Sequence, residues 1–383
     1  MRCHRPVAMT ARELGLYDAA SLFALAGVFA ITGRPISAAP LGQGLINATF
    51  ALETDAGGYV LQRINRQVFP HPERIMANLG VLAGHLTRHP SPGIAIPTPI
   101  PRRDGAAFAV DRDGNLWRLM ERIPDAVNLT QVETQAQACE VGFALGRFHH
   151  LVADLDPGRL AVSLPGFHVT LGYLARLDRV LAKNRPNALG PDLTHCLAEV
   201  ESRRRLAGTL DRARRAGDIP QRVTHGDPKL DNILFHRRDG RAIGLIDLDT
   251  VQPGLVQHDV GDCLRSCCNR QGESALAGAG VRFDLDIAEP ILRAYARETR
   301  DALAPADLTG MYDGIRLVPF ELGIRFLADH LAGDCYFRVH SRGENLAKAL
   351  TQFALTADIE RQEDAIRALV RGAFGQPAVN RPA

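Results

Sequence analysis

The chain has no apolar run long enough to cross a bilayer as a helix. Its most apolar stretch, Ala19 to Thr32, falls short of the about 20 residues such a span needs. Arg2, Arg5 and Arg12 before that stretch and Ser37-Ala38-Ala39 after it mimic a secretory signal, but Glu13 and Asp18 interrupt the basic leader. An amphipathic first helix is therefore the expectation. A basic tail is also missing. Lys and Arg number 45 against 43 Asp and Glu, a net charge of +2, and their even spread gives no case for nucleic acid or membrane surfaces, which leaves a small molecule as the expected partner. Cysteine pairs at zinc spacing are absent too. The seven cysteines are irregularly placed, and Cys263, Cys267 and Cys268 are the only cluster. They read as buried free thiols in a reducing compartment, which implies a cytoplasmic protein. The last third has neither an internal repeat nor a low-complexity tract.

What is present is core material: of 383 residues, 46% are hydrophobic and 23% charged, enough for one large or two moderate domains. The most informative stretch is Val223 to Phe235 with Gly244 to Asp249. Ile233-Leu234-Phe235 and Ala242 to Ile246 are apolar runs separated by Arg238-Asp239-Gly240-Arg241, a strong hairpin signal. A loop centred on Asp239-Gly240 sets Asn232 opposite Asp247. An amide and a carboxylate at the open end of a hairpin are oxygen donors suited to magnesium, with phosphate oxygens completing the shell. Asp227, five residues before Asn232, sits in a loop held extended by Pro228 and can orient or deprotonate an attacking hydroxyl. The alternative is that Asp, Asn and Gly gather here because turns favour them.

The combined spacing decides against a bare turn. His225-Gly226-Asp227, Asn232, Phe235 and Ile246-Asp247-Leu248-Asp249 together resemble the aminoglycoside phosphotransferase and choline kinase superfamily, whose protein-kinase relatives space a base Asp, a metal Asn and a second metal Asp in this way. The resemblance implies an α+β, protein-kinase-like fold of two lobes, a five-stranded antiparallel N-terminal sheet and a larger, mainly helical C-terminal lobe, with residues 1–124 covering the nucleotide and 125–383 carrying catalysis and the acceptor. It implies ATP and Mg2+ as cofactors. Asp227 would be the base or orienter, Asn232 and Asp247 the metal ligands, Asp249 the residue that orients Asp247 or a second ion, and Asp259 a brace for the catalytic loop. Lys229, two residues past the base, would reach the transferred phosphate; the alternative is a solvent-facing lysine.

In chain order, Leu45 to Glu53 and Tyr59 to Asn65 read as strands around Asp55 to Gly58. Gly42 and Gly44 allow close backbone approach to phosphates, although an ordinary strand turn uses the same residues. The resemblance makes this the nucleotide-covering loop, with Gly42, Gly44, Asn47 and Thr49 as binding residues. It also places a phosphate-pairing lysine in Tyr59 to Ile64, but no lysine stands there. Gln62 occupies its register, and Arg63, on the opposite face, is the candidate cation, with a solvated edge-strand arginine as the alternative. Pro72 to Arg88 reads as a helix with Glu73 near its positive end, either the partner of that cation or a helix-start carboxylate. Strands follow at Ala107 to Asp111 and Leu116 to Glu121. In the interlobe hinge the backbones of Glu121 and Ile123 would pair with adenine. Val132 to Leu151, Phe167 to Ala182 and Pro191 to Ala216 have helical periodicity.

A narrower resemblance concerns the acceptor. Gly42 to Phe50, Leu61 to Asn65, Ile246 to Gly254 and Arg325 to Phe337 together are similar to the N-acetylhexosamine 1-kinases, which implies a sugar acceptor such as GlcNAc or GalNAc. Arg325, Asp334 and Tyr336 supply a cation, an acceptor and an aromatic hydroxyl, the mixture a neutral polyhydroxy ligand requires. The alternative is that Arg325 pairs with Asp329 on its own helix. Rival functions are an aminoglycoside, choline or amino-alcohol kinase, and a nucleotide-binding pseudokinase, the last disfavoured by the presence of Asp227, Asn232 and Asp247.

Overall fold

The computed structural model describes residues 17–42, 46–89, 93–183, 190–272 and 280–375. Gly44 and the basic leader before the first helix lie outside the described residues. Helix α1 (Ala19–Ala26) starts where the Asp18 side chain accepts the Ser21 N–H and closes at Gly27, so it takes only the first part of the apolar run. Strands β1 (Pro35–Pro40), β2 (Ala48–Thr54), β3 (Gly58–Arg63), β4 (Ala109–Val110) and β5 (Leu116–Glu121) form a five-stranded sheet in the order β1-β2-β3-β5-β4. Every pairing is antiparallel. The period-two alternation of β2 sends Phe50 and Leu52 into a core with Leu61, Trp117, Leu119, Leu22 and Phe29. Strand β5 is different, because Leu116 to Met120 are buried on both faces. One of those residues is Arg118.

Helix α2 (Pro72–Arg88) has the bounds that its periodicity and first-turn proline predict. Its apolar stripe, Ile75, Met76, Leu79 and Leu82, does not join the sheet core. It packs into the large core that also holds α3 (Gln135–Leu151). Helix α3 begins with a capping box between Thr134 and Gln137. The helical part continues through α4 (Thr170–Lys183), α5 (Pro191–Arg203), α6 (Thr209–Ala216), α7 (Val256–Cys267), α8 (Leu285–Thr299), α9 (Pro305–Leu308), α10 (Met311–Ala332), α11 (Glu344–Arg361) and α12 (Glu363–Phe374). The single helix expected from Pro191 to Ala216 is broken by a 3-10 turn at Arg204–Gly208. Cys263, Cys267 and Cys268 are buried free thiols, as expected. The fold is thus α+β, an antiparallel N-terminal sheet followed by a mainly helical part. Among the described residues no helix is long and apolar enough to cross a membrane.

Short strands carry the chemistry-bearing segment. Strand β7 (Arg222–Thr224) pairs with β10 (Gln252–Gly254), and β6 (Ala126–Val127) flanks the hairpin of β8 (Ile233–His236) and β9 (Ala242–Leu245). The hairpin forms, but its register differs from the one expected. Ile233 pairs with Leu245 and Leu234 with Gly244, after which an irregularity sets Phe235 against Ala242. The His236 N–H donates to the Arg241 carbonyl, and Gly240 has φ of 69°, so the loop spans four residues instead of two. Asn232 consequently faces Ile246, whose N–H donates to its carbonyl at 2.9 Å. Asp247 is one residue further on.

Candidate active site

The catalytic loop leaves β7 at His225-Gly226-Asp227. Gly226 has φ of 87°, and a Cβ there would lie 2.8 Å from the Thr250 carbonyl oxygen, so only glycine fits. The Asp259 carboxylate, buried on α7, accepts the N–H of His225 at 2.7 Å and of Gly226 at 2.9 Å. His149 holds the same carboxylate at 2.9 Å. This is the brace that the resemblance implies, and it fixes the loop from beneath.

Asp227 and Lys229 meet directly, Nζ to Oδ2 at 2.8 Å. Burial works to raise the Asp227 carboxyl, but the Lys229 ammonium and its hydrogen bond, helped by His225 and Arg265, outweigh it and hold the group below the usual carboxylate range. The Asn232 amide donates to the Asp227 carbonyl at 2.7 Å and to Oδ2 at 3.1 Å. No hydrogen bond among the described residues uses Asn232 Oδ1, so that oxygen stays available. Asp247 occupies the left-handed region, with φ of 63°, an uncommon and costly conformation for a residue with a Cβ. Asp247 is exposed as a residue, yet desolvation of its carboxylate first, and the charges of Asp249 and Asp227 next, push it up to about 7. The Asp247 carboxylate, repelled by two neighbouring acids and set beside the Asn232 amide oxygen, offers a donor pair that a divalent cation would relieve.

Asp249 does not join those ligands. Its Oδ2 accepts from Asn47 Nδ2 at 2.6 Å and its Oδ1 faces Arg118 Nη2 at 2.5 Å, with the Arg118 and Asp249 side chains nearly free of solvent. The second-ion role expected of Asp249 therefore gives way to a strut between the sheet and the hairpin. Asn47, expected at the nucleotide, is the other end of that strut and also accepts the Asn65 N–H. Thr49 accepts from Gln62 Nε2 at 3.0 Å, and Gln62 Oε1 accepts from Arg118 Nε and Nη2 at 3.0 and 2.9 Å.

Arg118 is the residue that sequence reasoning missed. It sits directly across from Gln62 in the β3–β5 pairing, so its guanidinium occupies the register where a lysine of β3 was expected. It is 1% exposed, and its Nη1 has no hydrogen-bond partner among the described residues. Arg63, the expected cation, points to the other face, where Nη1 donates to the Tyr17 hydroxyl at 2.7 Å and the guanidinium covers the Tyr17 ring. Period-two geometry dictates the separation. The available signal was an arginine embedded in the apolar strand Leu116 to Met120. Glu73 lies in the first turn of α2 with His71 as its neighbour, so it is a helix-start carboxylate and not a partner of either cation. Gly42 has φ of 70°. Glu121 closes β5 opposite Tyr59, and neither backbone group of Ile123 is engaged in a hydrogen bond among the described residues.

The acceptor side is built on α10. The Arg325 guanidinium lies 5.2 to 5.5 Å from the ring centroids of Phe167, Tyr173 and Phe337. Among the described residues it has neither an ion pair nor a hydrogen bond. Burial would lower its pKa, but the Tyr173 and Tyr336 phenols and the Glu321 and Asp227 carboxylates more than offset that and keep it charged. The alternative pair with Asp329 does not form, because Asp329 accepts the N–H groups of Cys335, Tyr336 and Phe337 and thereby shapes the turn that carries Tyr336. Asp334 is held by Asn345 Nδ2 at 2.8 Å. His168 links this side to the catalytic loop, with Nδ1 2.9 Å from Glu321 Oε1 and Nε2 2.9 Å from the Gly226 carbonyl. Thr170 takes the other Glu321 oxygen at 2.6 Å. Burial alone would lower the His168 pKa, but Glu321 and the Gly226 carbonyl raise it to about 9. No motif flagged His168, Tyr173 or Glu321, since each matters only through folding.

Comparison with known proteins bears on the family and the fold. A homoserine kinase of Gluconacetobacter diazotrophicus is 26% identical over 266 residues, covering 67% of this chain and 68% of the relative. One from Rhizobium meliloti is 26% identical over 326 residues, 82% and 86% of the two chains. In structure the chain is similar to an amicoumacin kinase solved with AMP-PNP, Ca2+ and its antibiotic, at a TM-score of 0.58 and 16% identity over 92% of this chain and 96% of that one. A microcompartment-associated aminopropanol kinase gives a TM-score of 0.54 at 18% identity over 91% and 98%. These two likenesses speak for the fold. Residues 37–298 match the phosphotransferase enzyme family, and with more than half of its length so matched, the chain belongs to that family.

Proposed function

We propose that the chain is an ATP-dependent kinase that phosphorylates the anomeric hydroxyl of an N-acetylhexosamine, GlcNAc or GalNAc. The observation that carries the reading is an aromatic-walled guanidinium, Arg325, close enough to the Asp227 carboxylate to feel its charge, on a side that His168 ties to the catalytic loop through the Gly226 carbonyl. Aromatic faces suit the apolar faces of a sugar ring, and an unpaired guanidinium suits the carbonyl of an N-acetyl group. A polycation or amino alcohol would need a free carboxylate. Glu321 is engaged by His168 and Thr170 and Asp334 by Asn345, which speaks against such acceptors.

Asp227 orients the acceptor hydroxyl and takes its proton; a hemiacetal hydroxyl is more acidic than an ordinary alcohol, so a carboxylate suffices. Asn232 and Asp247 would hold Mg2+, which when bound neutralises phosphate charge. Arg118, with Nη1 free, takes the phosphate-facing cation role in place of Arg63, and Lys229 the transferred phosphate. Residues 1–124 cover the nucleotide, with Gly42 and the Glu121 and Ile123 backbones beside it, and residues 125–383 hold the acceptor.

A second reading, homoserine phosphorylation, draws on the names of the relatives and on Arg325, which would fit a carboxylate equally well. An acceptor panel separates the two. GlcNAc and GalNAc should drive ATP consumption while their 1-O-methyl glycosides do not. Equal turnover of a methyl glycoside would overturn the anomeric assignment, and turnover of L-homoserine with neither sugar would replace the acceptor.

A further inference from the structure

The C-terminal ends of two helices meet on a face that the phosphoryl-transfer residues do not use. His85 lies in the last turn of α2 and His89 closes it, while α3 ends at Leu151 with Asp154 just beyond. His85 and His89 are about one helical turn apart and project from one side. Their rings stack at 4.6 Å. His85 Nε2 lies 2.9 Å from the Leu151 carbonyl oxygen and 3.2 Å from Asp154 Oδ1, and His89 Nε2 lies 3.7 Å from Asp154 Oδ2. One donor atom from each side chain falls within 4.8 Å of the others, a convergence of three such residues found at no other place among the described residues. A tetrahedral ion with bonds of about 2.0 to 2.2 Å spaces its donors roughly 3.3 to 3.6 Å apart. The distances here bracket that spacing.

Charge points the same way. Two helix C-termini bring partial negative charge together, Asp154 adds a full one, and no Lys or Arg pairs with Asp154 among the described residues. His85 is buried, but the side chains of His89 and Asp154 are 49% and 63% exposed, which leaves an entry path and room for a water ligand. We infer that His85, His89 and Asp154 form a binding site for a zinc-type transition metal, with the Leu151 carbonyl or a water completing the shell. Imidazole donors select such ions over magnesium, which prefers an all-oxygen shell. The Leu151 carbonyl can only accept, so His85 Nε2 carries the proton when no metal is bound; binding moves that proton to Nδ1 and turns the Nε2 lone pair to the ion. The metal then ties the end of α2 to the end of α3. Since Asn78 of α2 also donates to the Val251 carbonyl at 2.9 Å, the tie would steady the helix beside the Asp249 turn without entering the reaction.

The test is zinc titration of the full-length, metal-stripped protein in excess Mg2+, with bound zinc counted by elemental analysis and thermal unfolding followed in parallel. One zinc that magnesium does not displace is expected, together with a raised melting temperature. His89→Ala and Asp154→Asn, both at exposed positions, should weaken zinc binding by at least about 10- to 100-fold and abolish the thermal shift, while Mg2+-dependent ATP consumption stays at the wild-type level. No zinc retained by the wild type, zinc displaced by Mg2+, or unchanged affinity in His89→Ala would each overturn the site.

Discussion

Arg118, buried, and Arg325, partly buried, stand one at each end of the site, and their guanidinium groups are satisfied in opposite ways. Arg118 faces the Asp249 carboxylate and the Gln62 amide and keeps one nitrogen free. Arg325 has aromatic faces around it and, among the described residues, no ion pair. A buried cation with a fixed counter-ion belongs to the scaffold as well as to any ligand, so removing it leaves an unpaired acid. A cation held only by rings is poised for a ligand. The difference teaches which end of the site should fail by unfolding and which by losing its acceptor.

Asp227→Asn should have the largest effect, lowering turnover by roughly two to four orders of magnitude with ATP affinity largely kept, because in the proposed reaction the residue acts on the acceptor hydroxyl. Near-normal turnover would remove it from that role. Arg118→Met should follow, costing roughly 3–5 kcal/mol of stability by stranding Asp249; an unchanged urea midpoint would show that Asn47 alone satisfies that carboxylate.

The His168–Glu321 pair sharpens the comparison through pH. His168 is raised from 6.5 to about 9, so its contribution is fully present below pH 6.5 and is lost as pH climbs from 6.5 through about 9. A shift of that size corresponds to roughly 3 kcal/mol. His168→Gln should therefore be well below wild type in stability at about pH 6, with the gap nearly closed at about pH 9.5. A gap independent of pH would mean that His168 acts by shape alone. The smallest effect is expected for Tyr336→Phe, a loss of about 0.5 to 1.5 kcal/mol in the acceptor KM with the ATP KM unmoved; an unchanged acceptor KM would remove the hydroxyl from the pocket.

The same two ends differ in how much the sequence reveals. The phosphate end is legible because Asp227, Asn232 and Asp247 lie close along the chain and a hairpin joins them, so spacing alone places them together. The register slipped because the loop has four residues and an irregularity, which the Asp239-Gly240 signal does not encode. Strands β2, β3 and β5 and helix α2 followed from apolar patterning, a first-turn proline and turn residues, whereas the five-stranded sheet came from the resemblance and no pattern marked β1. Arg118 escaped because the cation had moved one strand over, where only its isolation among apolar residues marked it. Arg325 was found through a resemblance, but its aromatic surroundings come from Phe167 and Tyr173, some 150 residues earlier in the chain, and no local pattern links them. The alternative Arg325–Asp329 pair failed for a backbone reason: three N–H groups of the following turn had already taken the acid.

The most direct test of the division between the two ends is the kinetics of Arg325→Ala with N-acetylhexosamine and ATP varied separately, alongside thermal unfolding. With no ion pair to break, the variant should keep the wild-type melting temperature and ATP KM while the acceptor KM rises roughly 10- to 150-fold, the loss of about 1.5 to 3 kcal/mol expected for one hydrogen bond from a charged group. A lowered melting temperature with matched losses for both substrates would contradict the account and make Arg325 a structural residue.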